Sequence, residues 1–256
     1  GFDHNIQTLR IVTLLEKKYY NFNGLNLSIE TLDGLVKHNG AVIDRFNYDR
    51  ILGKHIFKGK INFLKHPSLE SQISSISDDI AYNSHDLEDG LKANLFNIND
   101  IKNISVISEI INKHKGEIKK NQKELALRQI IRDTINEMVK DVVSNTKKNL
   151  KYERVKNIND VYKSKTQLVG FSEKMEDFDF AIKYFLRENM YRHKSVLKKT
   201  KKGEKIIKLL FHKINRKPSK FIKRNALKNQ SKERSICDFI AGMTDRYAIN
   251  LHNSLK

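Results

Sequence analysis

From Ser68 to Gly90 the apolar residues Leu69, Ile73, Ile76, Ile80 and Leu87 return at a helical interval. At about 100° per residue, Leu69, Ile76, Ile80 and Leu87 fall within about 20° of one line, and Ile73 lies about 40° from it. A strand alternates at period two and cannot gather these residues on one side. The stretch SLESQISSISDDIAYNSHDLEDG therefore predicts one amphipathic helix with its apolar line against a core. The same interval recurs along the chain. Ile6, Leu9, Val12 and Leu15 predict a helix over 4–18. Ser28 offers an N-cap to a short helix that ends near Gly40. Ile101, Ile104, Ile107, Ile110 and Ile111 predict a helix over 99–114 that Gly116 ends. Leu127, Ile130, Ile131, Ile135, Met138, Val142 and Val143 predict a long one over 118–148. FSEKMEDFDFAIKYFLRENMYRH reads as a helix over 171–193, capped by Ser172, and two more are expected over 205–215 and 230–254. Residues 40–66 and 150–168 read as irregular, and KKTKKGEK at 198–205 as a basic turn. Two prolines and eleven glycines are the only strong breakers in 256 residues. The expected fold class is all-α.

Such a length suffices for one large core or two small ones. The formal net charge is +19, from 49 Lys+Arg against 30 Asp+Glu, which favours anionic partners such as nucleotides or nucleic acid. The single cysteine, Cys237, excludes an internal disulfide and suits a reducing, cytoplasmic setting. No apolar run approaches the roughly 20 residues that span a bilayer, and no leader pattern is visible, so no membrane partner is expected.

Opposite the apolar line of 68–90 stand Asp78, Tyr82, His85, Asp86 and Asp89, within about 80° of Asp78. A polar face that simply meets water is the plainest reading. Against it, this face mixes carboxylates with a phenol and an imidazole, and lacks the lysine that covers most other helices of the chain. One aspartate cannot hold a metal alone, because sites of this kind take three or four donors.

These residues, read with GFDHNIQTLRIV, GLNLSIETLDGLVKHNG, NMYRH and ICDFIAGMTDRYA, resemble the deoxynucleoside-triphosphate triphosphohydrolases of the HD-domain superfamily, in particular the bacterial deoxyguanosine-triphosphatase-like proteins. The matches run in the family's order from the first residues to the last. The resemblance implies an HD-type helical fold and hydrolysis of a deoxynucleoside triphosphate to deoxynucleoside and inorganic triphosphate. It also implies a divalent metal ion (Mg, Mn, Fe or Zn) held by a His, a His-Asp pair and a distant Asp. Asp78 matches that last ligand. The one His-Asp dipeptide here, His85-Asp86, lies beyond Tyr82 on the same helix and cannot be the family's pair by position. The other ligands belong to helices before residue 1, so the chain is expected to be inactive alone, an HD fold truncated at its N-terminus.

The other roles follow from the resemblance residue by residue. His4 matches a histidine beside the phosphates, a general acid that would protonate the departing 5′ oxygen while metal-activated water attacks the α-phosphorus. Tyr82 matches a tyrosine that packs on the sugar, and Asp86 an acid that takes the 3′-hydroxyl. Tyr191 matches a tyrosine of the nucleoside pocket. Lys183 and Arg187 precede it by two turns and one, on the same helical face, as phosphate or base contacts. Asp79 stands where some relatives have a phosphate-binding lysine, a task an acid cannot perform directly.

In ICDFIAGMTDRYA the residues Ile236, Phe239, Ile240 and Met243 read as core or subunit interface, with Cys237 as a small buried side chain. Two domains are expected, 1–115 as part of the HD catalytic domain and 116–256 as a helical region completing the nucleotide pocket. The expected partners are a deoxynucleoside triphosphate, a second copy of the chain and single-stranded nucleic acid. Two further readings stay open: a non-catalytic nucleotide- or nucleic-acid-binding protein derived from such an enzyme, and a helical subunit that completes its site with a separate chain.

Overall fold

The computed structural model describes residues 3–44, 46–53, 57, 59–119, 122–223 and 230–255, and among them all regular structure is helical. The fold is all-α, of the HD type expected. By contact the chain forms two compact units, Gly1–Leu186 and Arg187–Lys256. The boundary expected at 115/116 falls inside the first.

The first unit contains α1 (His4–Arg10), α2 (Ile29–Val36), α3 (Phe46–Leu52), α4 (Leu69–Lys92), α5 (Ile98–Ile101), α6 (Ser105–Lys113), α7 (Lys115–Lys119), α8 (Lys123–Tyr152), α9 (Ile158–Lys163) and α10 (Glu173–Leu186). Ile6, Leu9, Val36, Tyr48, Leu52, Ile61 and Phe63 bring α1, α2 and α3 into one cluster. Burial pushes the Tyr48 phenol up to about 12, and its hydroxyl donates to the Val36 carbonyl at 3.1 Å.

α4 begins where Ser68 Oγ accepts the Ser71 N–H. It ends as Asn94 turns left-handed at φ +53°, a conformation asparagine tolerates better than most residues. Ile76, Ile80, Leu87 and Leu91 are buried along it. Ile73, expected on the apolar line, is instead 49% exposed. The buried strip is completed by Gln72, Asn83, Ser84 and Gly90, because α8 and α10 pack on that side. At Gly90 a Cβ would strike the Phe96 ring, which stands edge-on to Phe185 at 4.8 Å.

The segment between α9 and α10 is not helical, so its backbone must be satisfied by other groups. Gln72 supplies much of this. Its Oε1 accepts from Leu168 N at 2.9 Å and Val169 N at 3.0 Å, while its Nε2 donates to the Pro67 carbonyl at 2.9 Å. From α8, Asn149 donates to Leu168 O, and Asn145 to Gly170 O and Phe171 O. Asp141 accepts both the N–H and the hydroxyl of Ser172. The Ser172 hydroxyl, expected to cap its own helix, is thus donated to α8.

The second unit holds a π-helical turn (Arg187–Tyr191), α11 (Lys194–Arg216), a 3₁₀ turn (Pro218–Lys220), α12 (Lys232–Ala241) and α13 (Asp245–Ser254). Ile206, Leu210 and Ile214 of α11 pack with Ile222, Ile236, Ile240 and Ala248.

Several local expectations are corrected. The stretch 198–205 is the interior of α11, since lysine is a good helix former and one glycine costs only about 1 kcal/mol. Residues 230–254 form two helices: Gly242 ends α12, and the Thr244 side chain caps α13 through Tyr247 N. Residues 46–52 are helical, and Gly116 lies within α7. The helix expected over 99–114 is broken between α5 and α6. Helices expected to continue through 11–15 and 187–191 change there to π geometry. Cys237 is exposed, because the buried line of α12 runs through Ser235, Ile236 and Ile240.

Two outcomes follow. Gln72→Leu leaves two buried N–H groups and one carbonyl unpartnered, at about 1–3 kcal/mol each. A loss of at least about 2 kcal/mol is expected in denaturant melts, with early hydrogen exchange at Leu168 and Val169. The second concerns Asp133, which accepts from His114 Nε2 at 2.8 Å and Gln129 Nε2 at 2.7 Å. The His114 hydrogen bond holds its carboxyl below the usual range, against partial burial. With the folded value below the unfolded one, the stabilisation is complete above the unfolded value of about 4 and is lost as pH falls through the folded one. Asp133→Asn is expected to flatten that acid-side decline in thermal melts taken across this window.

Candidate functional site

The polar side of α4 carries the residues singled out from the sequence. Tyr82 is 63% exposed, Asp86 is half-buried, and His85 and Asp89 are exposed. His85 Nδ1 lies 4.0 Å from Glu88. Asp78 is half exposed, and its Oδ2 lies 3.5 Å from His38 Nε2. His38 follows the C-terminal end of α2, beside a groove of about 630 Å³ between α2 and α4. Asp78 therefore stands next to a residue that lines this groove, a neighbour that the sequence reading did not assign. His38 lies past the last helical turn, where apolar periodicity carries no information. His4 is exposed at the start of α1, whose N-terminus is capped by Asp3 through Ile6 N. α1 packs on α2, and α2 packs on α4.

Asp79 faces a different neighbour. Lys183 Nζ of α10 lies 3.3 Å from Asp79 and 2.8 Å from Asp179. Asp179 also accepts from Asn83 Nδ2, which is buried on α4. Burial works against the Lys183 charge, but the Asp179 hydrogen bond and the two carboxylates outweigh it and hold the ammonium above its ordinary range. An acid at position 79 thus receives a cation from the next helix. Two of the three donors of Lys183 serve this clasp. The i,i+4 spacing of Asp179 and Lys183 was a readable signal; the partnership with Asp79 required the packing of α10 on α4.

In the second unit Arg187 and Tyr191 are the first and last residues of the π-helical turn, and both are exposed. Arg187 Nε donates to Glu188, which also accepts from Arg192. Those bonds, led by the one from Arg187, hold the Glu188 carboxyl below its usual range. π turns are rare insertions that concentrate at functional sites.

The carboxylate chemistry of Asp78 suits a divalent ion. Among the described residues, however, no three of His, Cys, Asp and Glu converge so as to hold a metal. These residues alone do not make a metal site.

Residues 169–254 match the model of the phosphohydrolase-associated domain. Along its whole length the chain is 52% identical to a deoxyguanosinetriphosphate triphosphohydrolase-like protein of Pelagibacter ubique (strain HTCC1062), of which it spans 68%. The chain belongs to the deoxyguanosinetriphosphate triphosphohydrolase-like family. Its full length is also 36% identical to the family's proteins in Parvibaculum lavamentivorans and Rickettsia typhi, spanning 67% of each. As in the HD-type fold, all of its regular structure among the described residues is helical. No described helix is long and apolar enough to cross a membrane.

The clasp generates a stability test. Asp79→Asn and Lys183→Gln are each expected to lower the melting midpoint. Their double-mutant cycle should give a coupling of only about 0.5–1 kcal/mol, since both side chains are partly solvated. A coupling of zero would show that the pair does not join α10 to α4.

Proposed function

We propose that the chain serves metal-dependent hydrolysis of a deoxynucleoside triphosphate, dGTP or a close analogue, to the deoxynucleoside and inorganic triphosphate. The observation that carries this reading is the polar side of α4. Asp78, Tyr82 and Asp86 follow one another at one-turn intervals on a solvent-open face, in the order the resemblance assigns to ion, sugar and 3′-hydroxyl. Asp86 lies two turns, about 12 Å, along the helix from Asp78. That is too far to share an ion, and suits the far end of a nucleoside whose phosphates lie near Asp78.

Each residue then has a distinct task. Tyr82 packs against the deoxyribose, and Asp86 accepts a hydrogen bond from the 3′-hydroxyl. His4 is the general acid: water adds to the α-phosphorus, the bond to the 5′ oxygen breaks, and that oxygen leaves with the His4 proton. Lys183 and Arg187 balance phosphate charge, and Tyr191 borders the nucleoside. A divalent ion, when bound, would activate water and withdraw charge from the phosphoryl group. Asp78 is its ligand among the described residues, and further donors must come from outside them.

A second reading, a nucleotide- or nucleic-acid-binding protein without turnover, is favoured by α11. Lys194, Lys198, Lys199, Lys201, Lys202 and Lys205 are exposed there, and none is in an ion pair among the described residues. Such unneutralised lysines suit a phosphate backbone.

Release of inorganic triphosphate from dGTP, with metal content measured in parallel, separates the two readings. Under the first, Asp78→Ala is expected to abolish bound metal and rate together. Asp86→Ala and Tyr191→Ala should keep the metal and lose roughly ten- to a hundredfold in kcat/KM. Nucleotide or oligonucleotide binding without turnover in the full-length, metal-supplied protein would favour the second. Loss of metal in Asp86→Ala as complete as in Asp78→Ala would refute the assignment of this face.

A further inference from the structure

α2 and α4 are held at close range by Gly34. A Cβ at that position would lie 3.0 Å from Ser71 Oγ, and Ser71 donates to the Gly34 carbonyl at 3.3 Å. Asp78 lies two turns beyond Ser71 on α4, and His38 lies in the turn that follows α2, four residues beyond Gly34. The crossing thus carries the two side chains toward each other. The turn bearing His38 is fixed on both sides. Before it, the buried Lys37 ammonium pairs with Asp33 at 2.6 Å. After it, Gly40 adopts φ +96° and donates its N–H to the Lys37 carbonyl at 2.8 Å. This conformation is one that glycine reaches at little cost. His38 is consequently presented to Asp78 by a rigid turn, with its imidazole only partly exposed.

Resting on the reading of Asp78 as a ligand, we infer that His38 is a positioning residue: its Nε2 holds one oxygen of Asp78 and leaves the other for a divalent ion. The present 3.5 Å separation is at the outer limit of a hydrogen bond and is expected to shorten when the carboxylate is fixed. A carboxylate on an exposed helix face otherwise rotates among several orientations, and an ion must pay for ordering it. An outer partner that pre-orders a ligand typically changes metal affinity by about 10- to 100-fold. His38 touches no substrate atom in this account and acts only through Asp78.

The test is Mn²⁺ affinity of the full-length protein, by equilibrium dialysis with metal analysis, for wild type, His38→Ala, His38→Gln and Asp78→Asn. Thermal melts serve as the control for folding. His38→Ala is expected to bind about tenfold more weakly at an unchanged melting midpoint. His38→Gln, whose amide still donates, should recover most of the affinity, and Asp78→Asn should lose it. If Asp78→Asn loses the metal while His38→Ala binds as wild type, the positioning role is overturned and the metal reading stands. If His38→Ala and His38→Gln both lose it as completely as Asp78→Asn, His38 is itself a ligand and the inference is wrong. Should Asp78→Asn keep full affinity, the metal reading fails and the inference with it.

Discussion

The first unit depends on Gln72. It is almost wholly buried, and both ends of its amide are used on backbone: the carbonyl on Leu168 and Val169, the NH₂ on Pro67. A buried amide side chain is costly unless its polar atoms are paired, and the segment it meets has no helix or sheet to pair its own. Each therefore satisfies the other. With Asn145, Asn149 and Asp141 closing the opposite side, the entry to α10 is fixed between α4 and α8. The first turn of α10 follows directly, so Met175, Phe178, Ile182 and Leu186 meet the core in one register. Asp179 and Lys183 then reach α4, and the clasp at Asp79 is a consequence of that register.

This packing resolves the crowding of acids on α4. Asp78 and Asp79 are consecutive, but helical geometry points them about 100° apart. Asp79 flanks the buried side, where α10 supplies a lysine. Asp78 faces the end of α2, where the neighbour is an imidazole. Both keep about half of their side-chain surface open, but Asp79 faces the Lys183 ammonium within the fold. The two carboxylates thus differ by what stands opposite them.

Much of this was legible in the sequence. The all-α class, the 68–90 helix and its buried Ile76, Ile80 and Leu87 followed from one periodicity, because burial of one helix face leaves a strong signal at 3.6 residues. The positions read poorly were those where a different interaction won. Ile73 has an apolar side chain at the edge of the stripe, yet α8 and α10 approach from the other edge and bury Gln72 and Asn83 instead. The π turns at 11–15 and 187–191 insert one residue per turn without any residue type that marks them. KKTKKGEK looked like a turn because its charges repel, but its helix is anchored by the apolar residues that follow it. His38 lies within a stretch that carries the family resemblance, yet its approach to Asp78 depends on the crossing at Gly34 and Ser71, and crossings are not written in local spacing.

The charge distribution bears on the proposed chemistry. A net charge of +19 draws polyanions from a distance, but salt screens such attraction beyond about 8 Å. Near the surface the local groups decide, and on the polar side of α4 these include Asp78, Asp86 and Asp89. A triphosphate brought to that face by the whole protein's field would meet carboxylates of its own sign. A divalent ion between them reverses this, because it is the largest local charge and attracts both partners. An acid-bearing face on so basic a chain would thus favour, under the proposed function, a ligand bridged to that face by a metal ion. Under the proposed function, a carboxylate that already faces the Lys183 ammonium, as Asp79 does, would add less repulsion to a triphosphate beside the ion than one facing no cation.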